Sequence, residues 1–224
     1  MKGILFKPWK VKAIVESSLD REWQTRRLDH LKEINQEPDK WLRATPAPKS
    51  VSLNTRYKGL WQFADKDINI KLVKPRHQVG EVVYIKEAWA TYLPDQNVRP
   101  EVIYKSDGLA IGFEWRSPLF MLEWAARTFI KITGVRPERL QEITEEDVIK
   151  EGIRKTIIMG KPRYEVLDPK DKLLKYAPNK EFQCWRLFNE PSQAYSFLWD
   201  SINPKYPWAS NPWLWVYEFR RVKK

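Results

Sequence analysis

Apolar and polar positions follow two different periods along the chain, and together they predict short strands with a few short helices. Residues 3–6 form a brief apolar run typical of an opening strand. Val11, Ile14 and Val15 then follow the i, i+3, i+4 spacing of an amphipathic helix. Apolar side chains recur at the same spacing over residues 194–202, which predicts a further helix with one buried face.

Two longer β-prone segments are expected to contribute to the core. Residues 213–222 (WLWVYEFRRV) place four aromatic side chains on one face, as in a strand that closes a sheet over a core. Residues 80–89 (GEVVYIKEAW) predict a strand whose first face carries Val83, Ile85, Glu87 and Trp89. Near the end of that strand, Glu87 either forms a pocket wall or pairs with an Arg or Lys at the sheet rim.

The best-marked helix covers residues 145–151. Thr144 is a suitable N-cap, Asp147 can complete a capping box, and Gly152 follows the last turn. Glu151, in that last turn, faces the negative end of the helix dipole, which disfavours a carboxylate by up to about 1 kcal/mol. Either its charge serves chemistry or adjacent cations offset it, the candidates being Lys150, Arg154 and Lys155.

Two basic stretches lack a clear period, at about residues 36–75 and 155–185, and we predict insertions there. Residues 36–58 contain three prolines, which favours a long loop. The chain is therefore predicted to be a single domain over residues 1–224. Its expected class is α+β and mostly β, a small β-barrel with short helices and long loop insertions.

Composition narrows the function classes. Of the 224 residues, 42% are apolar, which excludes a chain that is disordered throughout. The 40 Lys and Arg residues outnumber the 29 Asp and Glu residues, and a net charge of +11 favours a polyanionic partner. One cysteine, Cys184, and two histidines argue against a disulfide framework and against a metal centre, so no metal is expected.

Glycine is scarce, with 8 residues, and the chain contains no GxGxxG or GxxxxGK[ST] motif. Dinucleotide-dependent enzymes and P-loop enzymes are therefore excluded, and no cofactor is expected. No apolar stretch approaches the roughly 18 residues that a membrane span requires. The first twelve residues lack the apolar core of a signal peptide. We expect a soluble protein with no membrane partner, in an oligomeric state that the sequence leaves open.

Several segments resemble the ASCH family, small PUA-like β-barrels related to RNA-binding modules, and above all its long phage- and prophage-associated members. The segments that carry the resemblance occur in the family's order: QTRR at residues 24–27, residues 80–89, VRPERLQEITEEDVIKEGI at 135–153, LWDSIN at 198–203 and NPWLWVYEF at 211–219. The resemblance implies a PUA-like barrel and a cytoplasmic location in a bacterial or phage-infected host cell.

The resemblance also implies a cleft lined by the polar loop with Thr25 and Arg26, the end of the strand at residues 80–89, and the helix that ends at Glu151. In such a cleft, Arg26 and Arg27 are expected to contact phosphate. Stacking of an unpaired base on an indole is expected at Trp89. Two more residues of that strand are candidates for substrate or nucleic-acid binding, Lys86 and Glu87.

One branch of the family resembles amidohydrolases that remove the acetyl group from N4-acetylcytidine. In that branch, a threonine assisted by a lysine attacks the acyl group, and a glutamate transfers protons. Thr25 and Glu151 fall on the threonine and glutamate positions, which makes them the candidate catalytic residues. The family's lysine position, three residues before Thr25, is occupied by Glu22, which lacks the activating amine. A lysine from elsewhere, such as Lys86, would restore the enzyme hypothesis.

Three functions follow from these observations. The first is binding of nucleic acid, with RNA as the favoured ligand, or of a modified nucleotide through a basic cleft. The second is hydrolysis of an N4-acylated cytidine or a related modified nucleoside. The third is a phage accessory protein that binds a host protein through a tryptophan-rich surface, for which an exposed apolar patch would be the indication.

Overall fold

The centre of the molecule is a five-stranded sheet. The computed structural model describes residues 1–47, 58–92, 101–107, 112–167 and 185–223. The strands pair in the order β1 (Gly3–Leu5), β6 (Val82–Lys86), β9 (Phe129–Arg139), β13 (Trp213–Val222) and β2 (Trp23–Arg27). β1 runs parallel to β6, and the other neighbours are antiparallel. Within the described residues β1 and β2 are the edges of this sheet, which does not close into a barrel.

The last strand, β13, is buried on both faces, which explains its nearly continuous apolar sequence. Leu214 and Val216 lie in a hydrophobic core on one face. The four aromatic side chains at alternate positions lie in another core on the opposite face: Trp213, Trp215, Tyr217 and Phe219. The prediction of a strand that closes a sheet over a core is confirmed.

Three helices surround the central sheet. α1 (Pro8–Glu16) joins β1 to β2, α2 (Glu145–Lys150) follows β9, and α3 (Pro191–Ile202) precedes β13. Val11 and Ile14 of α1 are buried in the first core, as their spacing predicts. Ala194 and Leu198 of α3 are buried in the second core. All three helices form where the sequence pattern predicts a helix.

Smaller sheets cover the two cores. β3 (Trp41–Pro46), β4 (Trp61–Asp65) and β5 (Ile70–Val73) form an antiparallel sheet over the first core. β10 (Arg154–Ile158), β11 (Lys161–Leu167) and β12 (Trp185–Phe188) form another beside the second core. A hairpin pairs β7 (Trp89–Tyr92) with β8 (Glu101–Tyr104). The predicted class, mostly β with short helices, is confirmed.

The prediction of a long loop over residues 36–58 is wrong for residues 41–46, because β3 forms there, and residues 48–57 lie outside the described residues. Trp41 and Ala44 pack against the first core, and this burial outweighs the local preference of the prolines. In the second predicted insertion, residues 155–185, the described part likewise forms strands, and residues 168–184 lie outside the described residues. The predicted strand at residues 80–89 ends at Lys86, and Trp89 begins a separate strand.

Candidate functional site

A cleft of about 590 Å³ opens between the two edge strands of the central sheet. One side is formed by the residues that follow β1, another by β2, and α1, α3 and the end of α2 complete the walls. The guanidinium of Arg27 donates a hydrogen bond to the carbonyl oxygen of Leu5, which ties β2 to β1. The charged and polar lining includes Lys10, Thr25, Arg26, Arg27, Asp29 and Glu151.

Lys10 is buried in this cleft, with only 5% of its surface exposed. It precedes Ile14 by four residues on α1, so both side chains lie on the buried face of the helix. Lys10 Nζ lies 2.6 Å from Glu151 Oε2 and donates a hydrogen bond of 2.6 Å to the carbonyl oxygen of Gln24. Burial lowers the pKa of the Lys10 ammonium below 10.5, and the negative charge of Glu151 offsets part of that shift.

Glu151 reaches the cleft because α2 ends at that point. The hydroxyl of Thr144 accepts a hydrogen bond from the backbone N–H of Asp147, and the Asp147 carboxylate accepts one from the Thr144 N–H, which confirms the predicted capping box. At the other end, Gly152 has a φ of +104°. A β-carbon there would lie 2.9 Å from the Trp9 ring, so glycine is required where the chain leaves the helix.

The charge of Glu151 is offset by cations that are remote in sequence. Lys10 lies 2.6 Å from one carboxylate oxygen, and Arg26 Nη1 lies 3.3 Å from the other. The three adjacent cations proposed for this role pair with other carboxylates: Lys150 with Glu146, Lys155 with Glu145 and Arg154 with Glu165. The unfavourable position at the helix end is therefore stabilised by the cleft itself.

The side chain of Arg26 is fully buried, and its guanidinium is surrounded by carboxylates. Nη2 lies 2.8 Å from Glu138 Oε1 and 3.1 Å from Asp147 Oδ2. Burial by itself raises the pKa of Asp147, but the positive charge of Arg26 reverses this and lowers it. In this geometry Arg26 fixes the position of Glu151, and its donors are directed at protein carboxylates. A role in phosphate binding therefore stays a prediction without geometric support.

Thr25 and Tyr195 complete the polar part of the cleft. Thr25 is buried on edge strand β2, directly after Gln24, whose carbonyl oxygen binds Lys10. Tyr195 of α3 lines the same cleft. Burial, the negative charge of Glu151 and a hydrogen bond to it raise the pKa of the Tyr195 hydroxyl well above 10. The lining of the cleft therefore includes a hydroxyl, a buried amine, a carboxylate and a phenol.

Glu22, which occupies the position of the family's lysine, lies outside this group. Its side chain is 57% exposed, and its carboxylate lies 3.7 Å from Lys150 on the surface. It therefore adds no buried negative charge beside Glu151. The cleft does contain a buried amine, that of Lys10 from the preceding helix α1.

Three predicted site residues lie apart from Thr25 and Glu151, and none of them lines the cleft: Lys86, Glu87 and Trp89. Lys86 Nζ donates a hydrogen bond to the carbonyl oxygen of Leu119. Trp89 is buried against Met121 and Ala125. Glu87 is buried and accepts two hydrogen bonds from Arg127, at 2.9 Å and 3.0 Å. Of the two interpretations offered for Glu87, pairing with an arginine at the sheet rim is the one that the geometry bears out.

A surface beside the first strand exposes apolar side chains. Residues 119–124 follow Ser117, which caps a short 3-10 turn, and Lys86 anchors this segment through the Leu119 carbonyl. The exposed side chains are Leu119, Phe120, Leu122 and Trp124. This is the kind of patch that the host-protein hypothesis requires, and that hypothesis stays a prediction.

Metal-binding clusters and membrane-spanning helices are both absent from the described residues. In the part of the chain that the structure describes, no group of three or more His, Cys, Asp or Glu side chains is arranged to hold a metal ion. None of the helices described is long and apolar enough to cross a membrane. Cys184 lies outside the described residues.

The sequence predicts one cleft for four residues, and the structure shows all four in its lining: Thr25, Arg26, Arg27 and Glu151. The sequence-based prediction did not include Lys10. A signal for it was present, because a lysine four residues before the buried Ile14 lies on the apolar face of the helix. Tyr195 was missed for a different reason, since only the packing of α3 against the edge of the sheet directs its hydroxyl to Glu151.

Comparisons with known proteins identify no relative. No family model, no curated protein and no solved structure matches this chain. The assignment of function therefore rests on the chemistry of the cleft and on the sequence segments described above.

Proposed function

We propose that this protein is a hydrolase that removes an acyl group from the exocyclic nitrogen of a nucleobase, as N4-acetylcytidine amidohydrolases do. The observation that carries the proposal is the buried Lys10, 2.6 Å from Glu151 and 2.6 Å from the carbonyl oxygen that precedes Thr25. A lysine with a lowered pKa is the group that a threonine nucleophile requires. The resemblance to the ASCH family supports the same chemistry and a PUA-like fold.

In the proposed reaction, Thr25 Oγ attacks the carbonyl carbon of the acyl group, and its proton passes to Lys10 Nζ. The bond between the carbonyl carbon and the exocyclic nitrogen then breaks, and Lys10 returns the proton to the departing amine. Water attacks the resulting ester of Thr25, and Glu151 accepts a proton from this water. As the bond between Thr25 Oγ and the acyl carbon breaks, Glu151 passes that proton to Thr25 Oγ and the carboxylic acid leaves. The products are the free base or nucleoside and one carboxylic acid.

The cleft has the size and lining that such a substrate requires. A volume of about 590 Å³ is within the range of small-molecule sites. Its apolar lining combines aliphatic and aromatic side chains, and two partly exposed aromatic ones offer stacking partners for a planar base: Phe6 and Trp9. Because Arg26 is held by carboxylates, the proposed substrate is recognised by its base and acyl group rather than through phosphate contacts at this arginine.

Binding of a modified nucleotide or RNA without turnover is the second candidate. The observation that favours it is the ion pair itself, because a protonated Lys10 held by Glu151 cannot accept a proton from Thr25. The net charge of +11 also favours an anionic ligand. The two candidates differ in one measurable property, the appearance of a deacylated product.

The test is incubation of the protein with a panel of acylated and other modified nucleosides, N4-acetylcytidine included, read by mass spectrometry. We expect loss of an acyl group from at least one of them with the wild type and none with Thr25→Ala. Thr45→Ala, on the exposed strand β3, is the matched control and should act as the wild type does. Retention of a nucleoside or short RNA without any deacylated product would favour the binding candidate instead.

A further inference from the structure

The sheet of β10, β11 and β12 has two chemically different faces. Its strands pair in antiparallel register, with Tyr164 opposite Phe188 and Val166 opposite Arg186. Tyr164, Val166 and Phe188 pack toward α3 in the second core, so this face is the inner one. Side chains at the alternate positions therefore lie on the outer face, which α3 does not cover.

Cations dominate the outer face. Arg163 lies opposite Thr156, and Lys161 lies opposite Ile158. Arg154 lies opposite Glu165, and their charged atoms are 3.9 Å apart. Among the described residues at these outward positions of the three strands, three cations accompany a single carboxylate. The surface is therefore positively charged beyond what its own ion pair neutralises, which favours a polyanion.

Apolar side chains lie between these cations. Trp185 is 37% exposed, Leu187 is 53% exposed, and Ile158 is also exposed. The guanidinium of Arg154 lies 5.1 Å from the centroid of the Trp185 ring, and the Arg154 side chain is 63% exposed. An indole and a guanidinium plane that are both open to solvent provide two stacking surfaces on a sheet held rigid by α3.

We propose that the outer face of the β10–β12 sheet, defined by Arg154, Lys161, Arg163, Trp185 and Leu187, binds single-stranded nucleic acid. Unpaired bases would stack on Trp185 and on the Arg154 guanidinium, while Arg163 and Lys161 contact the phosphates. This combination of an aromatic platform with cations along a sheet is what recognition of a single strand requires, because duplex DNA or RNA keeps its bases stacked and out of reach. The proposal is independent of catalysis in the cleft.

The test is fluorescence anisotropy with a labelled twelve-nucleotide oligouridylate or oligothymidylate at several salt concentrations. Trp185→Ala should weaken binding about tenfold, within the range found for removal of one stacking aromatic side chain. Trp185→Phe keeps a ring and should retain most of the affinity. Arg163→Gln should weaken binding and reduce the slope of log K against log salt by about 0.7, the value for one phosphate contact on a single strand.

Matched controls separate this face from the general positive charge of the protein. Trp124→Ala removes an exposed tryptophan from another surface, and Arg43→Gln removes an exposed cation from β3; both should bind as the wild type does. Equal loss in the control and test variants would overturn the proposal, as would unchanged binding by Trp185→Ala or preference for a duplex of the same length. Hydrolysis of a free nucleoside should be unchanged in Trp185→Ala, so the two proposals fail separately.

Discussion

At the scale of single residues, the cleft depends on the protonation of Lys10. Its pKa is lowered from 10.5 by burial, and only the neutral amine can accept the proton of Thr25. The rate of hydrolysis should therefore rise with pH, with a midpoint below 10.5. Lys10→Arg should lose this rise and most of the rate, because a guanidinium keeps its proton throughout that range. A pH–rate profile of both proteins checks the prediction, and a rise that persists in Lys10→Arg would assign it to another group.

Arg26 is expected to contribute to stability more than to ligand binding. Arg26→Met leaves Glu138, Asp147 and Glu151 without their shared cation in a buried site, which should lower the free energy of unfolding by about 3–5 kcal/mol. Arg43→Met, at an exposed position, should change it by no more than about 0.5 kcal/mol. Urea denaturation of the two variants measures the difference. Equal and small changes would show that Arg26 is not the centre of this network.

At this scale the sequence predicted part of the site. Thr25 and Glu151 were identified from motif positions, and both line the same cleft. Lys10 was not identified, because a helical lysine is usually exposed. Its place on the apolar face of α1 does not reveal its partner, a carboxylate 141 positions away. Glu22 was named as a site residue only because it occupies the lysine position of the motif, and its side chain lies at the surface.

At the scale of elements, the end of α2 determines where Glu151 lies. Gly152→Ala should lower stability by about 1–3 kcal/mol, since its φ of +104° is strained for alanine and its new methyl group would collide with Trp9. Turnover should fall with it, as Glu151 is displaced. Gly160→Ala is the matched control, because Gly160 also has a positive φ but its β-carbon would meet no neighbour. Thermal unfolding should show the smaller loss, about 1 kcal/mol, for Gly160→Ala.

The elements that sequence predicted best are those whose signals are local. The capped helix α2 and the buried strand β13 carry their information in adjacent residues. β3 was predicted as a loop because it is stabilised by contacts with the first core, which no local pattern records. The strand predicted over residues 80–89 ends at Lys86, and the arginine that pairs with Glu87 is Arg127, forty residues further along the chain.

At the scale of the whole molecule, α3 separates two surfaces. Tyr195, Leu198 and Trp199 of this helix line the cleft, and the helix also packs in the core that contains Tyr164 of β11. Variants of the two surfaces should therefore act independently. Thr25→Ala should abolish turnover and still bind the oligonucleotide. Trp185→Ala should retain turnover and bind the oligonucleotide more weakly. Parallel assays of both variants check this, and loss of both properties in either variant would indicate a single shared site.

The most direct test of the cleft chemistry compares two lysines of one helix. Lys10 is buried beside Glu151, whereas Lys12, two residues on, is partly exposed and lies 3.9 Å from Glu16. With N4-acetylcytidine, or the acylated nucleoside that the panel identifies, Lys10→Met should lower the rate of acyl release about 10²–10⁴-fold, as loss of a general base does. Lys12→Met should leave that rate unchanged. Equal rates in the two variants, or no release by the wild type from any acylated nucleoside, would contradict the account.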